Sequence, residues 1–74
     1  MTKGIAVSTS RVRVSTAKYE HEHGEKPHGD GYWRFRIRGN WMREFEYTGL
    51  YSKAKRNAQR RTAARGFYDV EVLP

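Results

Sequence analysis

The sequence predicts an α+β fold: an antiparallel sheet of three to four strands with one helix packed on one face, in the order β-β-β-α-β. Three observations carry this expectation. Apolar residues alternate with polar ones at period two in several short stretches. A single segment after residue 50 places Ala54, Ala58 and Thr62 four apart, on one side of a helix. Clusters of Gly, Asn and Pro punctuate the stretches between. The 74 residues leave room for one domain, read as 1–74, with 1–10 as a flexible lead and 21–31 as a mobile loop.

The elements follow in order. Arg11 to about Glu20 reads as a strand, because Val12, Val14 and Thr16 alternate with Arg11, Arg13 and Ser15. His21 to Gly31 reads as a loop, with three glycines, one proline and mixed charge that erase any period. Tyr32 to Arg38 carries the clearest strand pattern: Trp33, Phe35 and Ile37 on one face, Arg34, Arg36 and Arg38 on the other. Gly39-Asn40 marks the turn into a hairpin. A two-residue loop would pair Phe35 with Glu44 and mix the faces. A three-residue loop, Gly39-Asn40-Trp41, pairs Trp33 with Tyr47, Phe35 with Phe45, Arg36 with Glu44 and Arg34 with Glu46, which keeps aromatics together and ions together. Ser52 is read as the N-cap of a helix reaching about Arg65, with Gly66 as its stop. Phe67 to Leu73 alternates once more and reads as a fourth strand.

In so small a domain the aromatic set Trp33, Phe35, Phe45 and Tyr47 is the expected core. Trp41, at the hairpin tip, has two readings. Exposed, it stacks on a base or docks in a partner; buried, it folds over Met42 or Leu50.

Charge is the informative quantity. The chain holds 15 Lys plus Arg and 8 Asp plus Glu, a formal net charge of +7. Segment 49–66 contains Lys53, Lys55, Arg56, Arg60, Arg61 and Arg65 and no acid, so nearly all of the excess comes from the predicted helix. On a helical wheel Lys53, Arg56 and Arg60 cluster opposite the small-residue face. A helix that is merely solvated gains from opposite charges at i,i+4, and this one forgoes them. Cations gathered this way attract polyanions through counterion release.

Several function classes lack their residues. There is no cysteine, hence no disulfide, thiol nucleophile or Cys-zinc site. No nucleophile elbow, carboxylate pair or phosphate-cradling Gly loop frames the serines and histidines, so no enzyme and no cofactor are expected. His21, His23 and His28, beside Glu20, Glu22 and Glu25, would need a fixed third ligand to chelate a metal. They are read as a surface loop, with no metal site. No apolar run approaches the ~18 residues of a spanning helix, and 1–10 lacks a secretory apolar stretch. The expectation is a cytoplasmic protein, of a cell or of a phage-infected host, without membrane contact, as a monomer or weak homodimer.

Lys26 to Ala64 resembles the C-terminal two-thirds of a double-stranded-RNA-binding domain. Thr48-Gly49 leads into Ser52-Lys53-Ala54-Lys55-Arg56-Asn57-Ala58, similar to that family's lysine-rich helix start, and Lys26-Pro27-His28 is similar to its Gly-Pro-x-His loop. The resemblance implies phosphate contacts at Lys53 and Lys55, with Arg56 next in line, and groove contact by His28. Gly31-Tyr32-Trp33-Arg34-Phe35-Arg36-Ile37 is similar to the second strand of the arm-binding domains of tyrosine recombinases and of plant AP2 domains. Those domains read the DNA major groove with the sheet face opposite the helix. Here that face carries Glu44 and Glu46 beside Arg34 and Arg36, and carboxylates repel phosphate, which favours the helix as the contact element.

Two functional readings follow. The first is a small basic nucleic-acid-binding protein, for DNA or RNA. It contacts phosphates through Lys53, Lys55, Arg56 and Arg60, with Arg34, Arg36 and Arg38 as a second stripe and His28 or Trp41 at a groove or base. The second is a protein-interaction module of the phage-inhibitor kind, anti-CRISPR proteins included, which the chain resembles in size; its target would be a host protein or ribonucleoprotein, reached through Trp41 or an open edge strand.

Overall fold

The computed structural model describes residues 11–39 and 43–74. Six elements succeed one another: β1 (Arg13–Ser15), α1 (Ala17–His23), β2 (Asp30–Ile37), β3 (Glu44–Leu50), α2 (Tyr51–Ala64) and β4 (Asp69–Val72). The fold is α+β, as expected. One four-stranded sheet runs in the order β1-β4-β2-β3, and α2 covers one of its faces.

The hairpin follows the expected register. Trp33 faces Tyr47, Phe35 faces Phe45, Arg34 faces Glu46 and Arg36 faces Glu44. Period-two side chains make a one-residue slip prohibitive here, since it would turn every aromatic outward. Trp33, Phe35, Ile37 and Phe45 are buried, with Tyr47 partly so, and Val12, Val70, Val72, Ala54 and Ala58 complete the core. Residues 40–42 of the tip, Trp41 among them, lie outside the described residues, as does the lead 1–10.

Three expectations are corrected. The first strand does not continue to Glu20. It ends at Ser15, and residues 17–23, read as strand and loop, form α1. Beyond Val14 no apolar residue keeps the alternation, whereas Ala17, Lys18 and Glu20 are good helix formers. The Glu20 amide bonds the Thr16 carbonyl (2.9 Å), the Glu20 carboxylate meets the Thr16 hydroxyl, and Gly24, at φ +76°, closes the helix with its N–H on the Glu20 carbonyl (2.8 Å). The loop expected over 21–31 is thus shortened to 24–29 before β2 begins.

Second, the sheet is mixed. β4 lies between β1 and β2, parallel to the former and antiparallel to the latter. Val70 and Val72 pack beside Ile37 and Phe35, so the C-terminal segment fills the middle of the sheet. Third, Ser52 is not the N-cap. β3 passes directly into α2, with Leu50 at the cap and no side-chain cap bond. The first amide is satisfied from elsewhere, because the Tyr51 N–H donates to the Gly29 carbonyl (2.7 Å).

The expected stop does occur. Gly66 adopts φ +81°, its N–H bonds the Ala63 carbonyl (2.9 Å) and the Phe67 N–H bonds the Thr62 carbonyl (3.1 Å), the paired bonds of a Schellman motif.

Candidate nucleic-acid interface

The local sequence decides what α2 shows to solvent. Ala54, Ala58 and Thr62 are fully buried, and their small size lets the helix lie close on Phe35 and Phe45. Spacings of three and four then place Lys53, Arg56 and Arg60 in one row on the outer side. Lys55, Arg61 and Arg65 flank the row, and all six cations are exposed. The Arg61 guanidinium sits 4.7 Å from the centre of the Phe45 ring, a cation–π contact that pins its stem while leaving the charge wet. Arg65 donates to the Arg61 carbonyl (3.3 Å).

The eight acids all fall within the described residues, and none pairs with an α2 cation. They gather elsewhere. Arg34 and Arg36, alternating with the core aromatics, point to the sheet face away from α2. Arg36 Nη2 donates to Glu44 Oε2 (2.9 Å) and Arg34 Nη2 to Glu44 Oε1 (3.2 Å). The expected Arg34–Glu46 ion pair does not form. Both arginines converge on Glu44, and Glu46 lies instead beside the Tyr32 hydroxyl. Glu71, nearly buried in the central strand, takes Lys18 (3.2 Å) and the far side of Arg36 (3.9 Å), while Asp69 takes Arg13 (3.0 Å). Bonding to Arg36, then to Arg34, holds the Glu44 carboxyl below its usual range.

The sheet face is therefore a patchwork of matched charges, and the positive excess is segregated onto α2. Arg34, Arg36 and Arg38 are not brought together with the helix row. The first two are on the opposite face and bound to carboxylates. Arg38 stands exposed at the end of β2, its amide on the Asp69 carbonyl (2.9 Å).

His28 lies at the N-terminal end of α2. Its loop is anchored by buried Pro27 and by the Gly29–Tyr51 bond, and its ring Nε2 is 3.3 Å from Glu25 Oε1. Arg61 belongs to the basic surface although the sequence reading left it out of the site. Its place on the wheel, between buried and outer faces, hid the aromatic ring that would hold it. No protein-family model, curated protein or solved structure matches this chain. The likenesses to RNA- and DNA-binding domains rest on the quoted motif residues alone. No helix among the described residues is long and apolar enough to cross a membrane.

Proposed function

We propose that this chain is a non-enzymatic nucleic-acid-binding protein that holds the phosphate backbone along the outer side of α2. Lys53, Arg56 and Arg60 form the central row, with Lys55 beside them. One observation carries the reading. Six cations on α2 and its C-cap have no carboxylate partner and no acid among them, while Arg13, Lys18, Arg34 and Arg36 are each paired with one. Cations not held by carboxylates are free to displace the counterions condensed on a nucleic acid, and exposed arginine forks suit phosphate oxygens. The sheet-face arginines are poorer candidates, since each would have to leave Glu44 first.

The test is binding of duplex RNA, duplex DNA and single strands by fluorescence anisotropy at two or more salt concentrations. Binding should weaken steeply with salt. Reversing Lys53, Arg56 and Arg60 to Glu should abolish it, or lower the log–log salt slope by roughly 3 on duplex DNA at ~0.9 per phosphate contact, with an unchanged circular dichroism spectrum. Unaltered affinity in the folded triple variant would exclude the helix. The competing reading, a phage-type inhibitor module for a host protein or ribonucleoprotein, draws on the outer edge of β3, which no described strand covers. It is favoured if the helix reversal leaves capture of a single partner intact.

A further inference from the structure

Between α1, the start of β2 and the C-terminal residues lies a cleft of about 390 Å3, within the ~300–1,000 Å3 range of small-ligand sites. No α2 residue lines it, whereas His28 and Arg34, both read from the sequence as contact residues, do. Its wall is a run of aromatic rings. His23 stacks on Tyr19 with centroids 4.1 Å apart and planes 21° apart, and Tyr19 leans on Trp33 at 5.7 Å. Tyr32 also lines it, more than half exposed. Its polar lining is mixed: the Asp30 carboxylate accepts, the His28 ring offers a nitrogen and the Arg34 guanidinium donates. Asp30 is its single acid.

We propose that this cleft takes one unpaired nucleobase. Every base offers a π-face to an aromatic wall, which makes stacking the general means of holding an unpaired one. The Asp30 carboxylate accepts from an exocyclic amine, which favours amino-bearing bases over uracil and thymine. Position joins the cleft to the basic helix, so the inference rests on the phosphate-binding reading. Trp33, which lines the cleft, meets the ring of Tyr51, the first residue of α2, at 5.0 Å in an edge-on contact. Gly29, next to His28, bonds the Tyr51 amide (2.7 Å). A strand whose phosphates run along α2 would reach the cleft at the N-terminal end of that helix.

Two titrations of the full chain test this. In the first, Trp41→Phe leaves Trp33 as the sole tryptophan, and its fluorescence follows added AMP, GMP, CMP and UMP, with ribose 5-phosphate as the baseless control. Saturable binding of the nucleotides, weakest for UMP and absent for ribose 5-phosphate, is expected. Asp30→Asn should erase the discrimination against UMP, and Tyr19→Ala, with folding checked by circular dichroism, should weaken AMP binding about tenfold. Equal binding of ribose 5-phosphate, no saturation, or no change in either variant overturns the cleft. The second titration compares a blunt duplex with the same duplex carrying a short unpaired overhang. Asp30→Asn and Tyr19→Ala should lower the overhang preference and spare the blunt duplex. If both substrates weaken alike, the cleft is overturned as well. Nucleotide binding that survives while helix reversal leaves duplex affinity unchanged overturns the helix alone; the converse pattern overturns the cleft alone.

Discussion

Two single residues show how narrowly this small fold is set. Gly49, in β3 opposite Gly31, adopts φ +140°, and a Cβ there would meet the Tyr47 ring at 3.1 Å. Its carbonyl also receives the Trp33 indole N–H (2.9 Å). Gly49→Ala should therefore cost about 2 kcal/mol in chemical denaturation, chiefly from the strained backbone. Gly31→Ala should cost much less, since its φ is ordinary and a Cβ would touch Trp33 at 3.5 Å. A similar loss from both would refute the backbone argument. Thr62 presents the opposite case. Its side chain is fully buried on α2, and its hydroxyl has no partner. Thr62→Val keeps the shape and removes the stranded group, so stability should rise by about 1 kcal/mol, or roughly 4–8 °C in Tm for a domain of this size. A loss on thermal melting would mean that the hydroxyl is satisfied in solution.

Among the elements, α2 depends on tertiary contacts at its start more than on its own caps. Tyr51 opens it without a capping side chain, bonded to the α1–β2 loop and packed edge-on against Trp33. Burial pushes the Tyr51 phenol above its ordinary value of 10.0, because the ionised form would lose its hydration. The folded protein thus favours the neutral phenol. Stability from this source is complete below pH 10, where neither state ionises, and drains away as pH rises and the unfolded chain ionises first. Tyr51→Phe removes that loss, so its alkaline unfolding midpoint should move to higher pH while stability at neutral pH changes little. An unmoved midpoint would show that the ring is solvated. α1 is weaker: seven residues, none fully buried, held by Tyr19 against Trp33 and by Lys18 on Glu71. Its existence was signposted by Thr16 and Gly24 at its two ends. The valine alternation just upstream read as one longer strand and masked them.

For the whole molecule, the relevant property is the separation of charge across the sheet. One face matches Arg34 and Arg36 with Glu44 and Glu71; the other, beyond α2, carries unmatched cations. Replacing Arg34 and Arg36 together by Gln should leave polyanion affinity and its salt slope almost unchanged, whereas the same two charges removed from Arg56 and Arg60 should reduce the slope by roughly 2 on duplex DNA. Equal effects on anisotropy titrations would mean that both faces bind. The pairs with Glu44 are solvent-accessible and contribute little to stability, and Lys18 still pairs the nearly buried Glu71, so neither variant should unfold.

Local pattern alone determined the hairpin register, the aromatic core, the stop of α2 and the acid-free basic row. Each follows from periodicity or composition within a few neighbouring residues, which any folded arrangement must respect. Tertiary structure alone decided where β4 goes, that the sheet is mixed, that Glu44 gathers both arginines, and that Tyr19, His23 and Trp33 form one wall. Those depend on which distant segments meet. Val70 and Val72 must bury their side chains somewhere, but only the chain's return from α2 selects the gap between β1 and β2.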